Sequence, residues 1–73
     1  MNTIVRMTGP HPSRIWHGDR ACPVWHVSLV DAGDKPQGMV YRVLSYQRAV
    51  TLSCSMARDR KLYLHVDALA SIG

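Results

Sequence analysis

The sequence predicts an α+β fold, a small mixed β-sheet of three to four strands with one α-helix packed on one face. Two observations carry that prediction. Between Gly38 and Val66 the hydrophobic period switches from about two to about 3.6 and back to two. Ahead of that switch, Asp31 to Gln37 places glycine and proline where a hairpin connection wants them. The expected core, residues 23–67, is therefore strand, hairpin loop, strand, helix, strand.

Each element has its own reason. Pro23 opens a first strand at about 24–30, Val24-Trp25-His26-Val27-Ser28-Leu29-Val30, rich in residues that suit a pleated surface. Met39 to Leu44 has the same character and gives a second strand at about 39–44. Ser45 is a good N-cap type, and Tyr46 to Arg58 follows with helical spacing. Lys61 to Val66 alternates strictly and gives the last strand at about 61–66. A crossover through the helix makes that strand parallel to the one before the helix. Residues 1–22 stand outside this core. Thr3 to Met7 suits a short strand, and Arg14 to His17 an extended segment before a turn at Gly18 to Arg20. Between them, Gly9-Pro10-His11-Pro12-Ser13 is expected to break regular structure, because two prolines remove donors and restrict the backbone.

Alternation assigns the faces. Trp25, Val27, Leu29, Met39, Tyr41, Val43, Leu62, Leu64 and Val66 form the expected core. The other face carries His26, Ser28, Val30, Val40, Arg42, Leu44, Tyr63 and His65. On the helix, Tyr46, Ala49, Val50, Ser53, Cys54 and Ala57 share a stripe. Leu52 and Met56 widen its apolar arc to roughly 200°. One small sheet face cannot cover so wide an arc. Either the segment with Ile15 and Trp16 folds over Leu52 and Met56, or another molecule does.

The pattern resembles small bacterial domains of strand-strand-helix-strand type over about residues 24–67. The residues that carry the resemblance are Trp25 and Val27, then Ser45 and Ala49, with Ala57 and the Leu62-to-Val66 strand following. It implies a fold and no activity.

Composition narrows the class of protein. Seventy-three residues make one small domain, 1–73. A chain of that size buries only about 60% of its unfolded surface. Met1 to Thr8 has no apolar run of signal-peptide type, and no apolar stretch is long enough to span a bilayer. The expectation is a cytoplasmic protein with Cys22 and Cys54 reduced and no membrane partner. Of nine basic residues seven are Arg, all five acids are Asp, and the net charge is +4. That field favours an anionic partner.

Chemistry-bearing patterns are sparse. His17, Cys22 and His26 give His-x4-Cys-x3-His, but no close ligand pair of the zinc type exists. No metal or cofactor is expected. There are no paired carboxylates, no phosphate-cradling glycine loop and no serine elbow, so the chain is not expected to be an enzyme. Two binding readings remain. The first is a non-enzymatic accessory protein that binds another protein or a second copy of itself, through Leu52, Met56 and Trp16 or an edge strand. The alternative is a basic nucleic-acid-binding domain, single-stranded or non-specific, that uses Arg42, Arg58, Arg60, Lys61 and Tyr63.

Overall fold

The computed structural model describes residues 3–33 and 35–69. It is an α+β domain with five elements in order: β1 (Ile4–His17), β2 (Arg20–Val30), β3 (Tyr41–Val43), α1 (Tyr46–Arg60) and β4 (Leu64–Ala68). The four strands make one mixed sheet in the order β3-β2-β1-β4. β1 pairs antiparallel with β2 and parallel with β4, and β2 pairs antiparallel with β3. β3 and β4 therefore run the same way, as a crossover requires, but they occupy opposite edges with the β1–β2 hairpin between them.

The N-terminal segment is the largest correction to the sequence reading. It enters the sheet as β1, a central strand in its first half. Val5 to Gly9 pairs with β4 on one side, and Ile4 to Thr8 with β2 on the other. The prolines do not stop the strand. The last β4 pairing is Gly9 with Ala68, so Pro10 and Pro12 fall where β1 has an open edge and needs no donor there. The ladder absorbs them as register shifts between Thr8 and His11 and between Pro12 and Trp16.

Beyond these shifts β1 and β2 continue as a two-stranded arm. Gly18, at φ 68°, and Asp19 make a two-residue turn that sets His17 opposite Arg20. That turn is why β2 begins at Arg20 rather than near Val24. None of the residues 12–23 joins the core cluster. The molecule measures 44 Å along its longest axis against 21 and 16 Å across.

The core lies between α1 and one sheet face. Cross-strand neighbours on that face are Val5 with Leu29 and Leu64, Met7 with Val27 and Val66, and Trp25 with Val43. Val5, Met7, Trp25, Val27 and Ala49 are fully buried or nearly so. α1 comes close because its inner stripe is small. Ala49 and Ser53 are completely buried, and Ser53 satisfies its hydroxyl by donating to the Val50 carbonyl. Of the nine expected core residues, Trp25 and Val27 are buried, and Leu29, Val43, Leu62 and Leu64 pack partly buried against them. Met39 is 70% exposed, because pairing along the β3 edge begins only at Tyr41 and the chain turns at Gly38 with φ 91°. Tyr41 and Val66, both on edge strands, remain over 40% exposed. Cys54, expected on the buried stripe, is exposed.

Local chemistry sets the element ends. Ser45 caps α1, its hydroxyl accepting from the Arg48 N–H. At the other end Lys61 takes the left-handed conformation at φ 55°, and the Leu62 N–H reaches back to the Ala57 carbonyl. This cap consumes residues 61–62, so β4 starts at Leu64, later than alternation predicts. In the β2–β3 connection the Asp31 carboxylate accepts N–H groups of Lys35 and Gly33 and the Gln37 amide. Those hydrogen bonds, Lys35 foremost, hold its pKa below the usual carboxylate value.

Backbone conformation at three positions has consequences for stability. At Gly9, φ is 137° and a Cβ would lie 2.7 Å from the Trp25 ring. Gly9→Ala is expected to destabilise the domain by about 2–3 kcal/mol in urea unfolding. Gly18→Ala, where nothing lies within 4 Å of an added Cβ, should cost less. Lys61→Gly relieves a left-handed non-glycine residue and is expected to stabilise by about 1 kcal/mol in the same assay.

Candidate functional site

The helix-free face of the sheet is where polar and cationic groups collect. Direct pairing places Arg6 with Ser28 and His65, Thr8 with His26 and Asp67, and His26 with Arg42. Arg6 makes an ion pair with Asp67 at 3.5 Å. The Thr8–His11 register shift then lets His11 turn back over this face. Its ring stacks on His26 with centroids 4.2 Å apart, and its Nε2 shares a 2.9 Å hydrogen bond with the Thr8 hydroxyl.

Above this row the face hollows into a concavity of about 830 Å³, within the range of small-molecule sites. Arg14 and Ile15 of the arm, Val24 and His26 of β2, and Arg42 and Leu44 around β3 line it. Val24 is nearly fully buried, whereas Ile15 and Leu44 are about half exposed. Two arginines and a histidine thus line one hollow with Pro12, Ser13 and three aliphatic residues. Such walls match a ligand with an anionic part and a flat or apolar part.

Electrostatics single out His26. Partial burial is the main cause that lowers its pKa below 6.5, and the nearby His11 and Arg42 add to it by repelling a further positive charge.

The nucleic-acid candidates divide between two places. Arg42 lies on β3 at the hollow, level across the sheet with Asp67. Arg58 and Arg60 occupy the last turn of α1, Lys61 is its C-cap, and Tyr63, 86% exposed, precedes β4. Tyr63 stands on the opposite edge of the sheet and four positions below Asp67. Arg42 does not join those four. Of the interaction candidates, Leu52 and Met56 rest partly buried against the core cluster. Trp16 sits on the arm opposite Ala21 and is 64% exposed. Ile15 and Trp16, both more than half exposed, are not among the residues packed with Leu52 and Met56 against the core cluster, so they do not cover the apolar arc of α1.

Sequence spacing pairs His26 with His17 and Cys22. The structure pairs it with His11, while His17 goes to the hairpin turn. Among the described residues no three His, Cys, Asp or Glu side chains come together as metal ligands. Nothing local in the sequence announces the His11–His26 stack or the inclusion of Arg14, because both depend on the register shifts in β1. Among the described residues, no helix is long and apolar enough to cross a membrane.

The lowered pKa gives a pH prediction with a definite sign. The folded chain disfavours His26 protonation relative to the unfolded chain. Its contribution to stability is complete above the unfolded pKa of about 6.5 and is lost as pH falls from there toward the lower folded value. Urea midpoints measured across that window should fall with acidification, and His26→Gln should flatten the fall.

No protein-family model, curated protein or solved structure matches this chain.

Proposed function

We propose that the domain binds single-stranded nucleic acid on the helix-free face of its sheet, in the hollow between the arm and β3. One observation carries the reading: Arg14, His26 and Arg42 line one space together with Pro12, Ser13, Ile15, Val24 and Leu44. Guanidinium groups meet phosphates, and the aliphatic and imidazole surfaces meet the flat side of an unpaired base. The net charge of +4 supports the same ligand, as do the exposed rings of Trp16 and Tyr63 at different ends of the domain. Bases locked in a duplex have no flat side to offer, so the hollow favours single strands.

Anisotropy of labelled single- and double-stranded oligonucleotides tests this. Single strands are expected to bind more tightly. Arg14→Ala with Arg42→Ala should weaken binding about tenfold or more across sequences and lower the salt slope by roughly 0.7 for each phosphate no longer neutralised. Arg58→Ala with Arg60→Ala, far from the hollow, should have a smaller effect. Absence of binding, or indifference to the Arg14 and Arg42 changes, would sink the reading.

A second reading has its own observation. Met39, Val40, Tyr41 and Leu44 are all exposed, and they follow one another along the β3 edge. An exposed sheet edge with apolar neighbours fits an added strand from another chain. It is less specific than the hollow, because partly apolar edges are common. If the domain self-associates through this edge, Met39→Lys with Tyr41→Lys is expected to leave a monomer by sedimentation equilibrium. An unchanged assembly would place the interface elsewhere.

A further inference from the structure

We infer that the hollow takes up a proton together with its ligand: a phosphodiester held between Arg14 and Arg42 recruits His26, as imidazolium, for its third donor. This rests on the nucleic-acid reading and names the ligand group and the regulation of the same site.

His26 is the cross-strand partner of Arg42, and both line the hollow together with Arg14. Each neighbouring element brings further groups toward the imidazole. From β1, His11 stacks on the ring at 4.2 Å, Thr8 pairs with it across the ladder, and Arg6 lies two positions further along the same face. From β3 comes Arg42. From β4, one strand beyond β1, come His65 and Asp67, and Asp67 is engaged by Arg6. Helix α1 lies on the other face.

Without a ligand, His26 has Arg42 and the stacked His11 beside it along with the neutral Thr8, and the carboxylate of Asp67 is already paired with Arg6. A proton on His26 is therefore opposed in the free protein, first by the partial burial of the ring and then by His11 and Arg42, and its pKa is lowered accordingly. An anion in the hollow reverses the sign of that local field. Opposite charge within hydrogen-bonding reach favours the charged imidazole. Linkage then requires the reciprocal effect: if the ligand promotes protonation, protonation promotes the ligand. A rise of about one unit in the His26 pKa on binding gives up to about tenfold tighter binding as pH falls through the window. The stack on His11 holds the ring over the face and limits its rotation, so the donor is pre-positioned.

The experiment is anisotropy of rhodamine-labelled oligothymidine at about pH 7.5 and about pH 5.5, on either side of histidine's usual 6.5, at constant ionic strength. Neither thymine nor a phosphodiester titrates in that range, so any change belongs to the protein. The expected result is about tenfold tighter binding at the lower pH. His26→Gln should bind with an affinity that no longer responds to pH, and His65→Gln should keep the response. Equal affinity at both values, or a response that survives His26→Gln, overturns the inference and leaves the nucleic-acid reading standing. No binding at either pH overturns both. A measurement on the unaltered chain guards against a variant that fails to fold. The NMR titration midpoint of His26 should move up when oligothymidine is added, and a midpoint that stays put overturns the inference.

Discussion

The slot that Gly9 leaves for the Trp25 indole is the constraint on which this structure turns. Trp25 is 2% exposed in a domain with few large apolar side chains to bury. Its ring passes so close to Gly9 that a single Cβ would collide with it. Its indole N–H donates to the Leu69 carbonyl at 3.0 Å, and the Leu69 N–H donates to the Gly9 carbonyl at 3.0 Å. The other side of the ring meets Tyr46 edge-on at 5.9 Å, at the start of α1. One side chain thus ties together β1, β2, the end of β4 and the first turn of the helix. A tryptophan can do this because it offers a large apolar body with a polar tip, and both are satisfied here.

The two sheet faces serve different purposes. One is apolar and receives a helix whose stripe is small enough, at Ala49 and Ser53, to sit close. The other carries arginine and histidine in direct cross-strand pairs. Like charges side by side cost free energy in a bare sheet. That cost is moderated where Arg6 meets Asp67, and beside Arg42 the lowered pKa of His26 favours its uncharged form. Arginine and aliphatic side chains lining one hollow are the features on which the proposed binding of an anionic ligand rests.

The arm follows from the same break that makes the hollow. Helix α1 and strand β4 cover β1 only as far as Gly9. Past that point the hairpin carries on alone, with Pro10, Pro12 and Pro23 in positions where no third strand needs their donors. The register shifts fall in this ribbon, where Arg14 and Ile15 share a hollow with Val24 and His11 stacks on His26.

Much of the second half of the chain was legible from the sequence alone. The period switch between Gly38 and Val66 located strand, capped helix and strand, and alternation put Trp25, Val27 and Leu64 on the helix side. Those are local properties, written in spacing and capping. In the first half the strand at Thr3 to Met7, the extended Arg14 to His17, the turn at Gly18 and the strand from Val24 were legible too, but their union into one long hairpin was not, because prolines at 10 and 12 argue against a strand unless their open edge is known, and an edge is a property of the assembled sheet. For the same reason the site was visible only in part. Arg42 and His26 lie on the face that alternation assigns them, but His11 and Arg14 reach them through register shifts that no spacing rule encodes. Local spacing and capping located the capped helix, the strands on either side of it and the helix-facing Trp25, Val27 and Leu64, and composition gave the positive charge. Tertiary structure decided which strand is central and which cations share a hollow, because strand order and register arise from pairings between residues far apart in the chain.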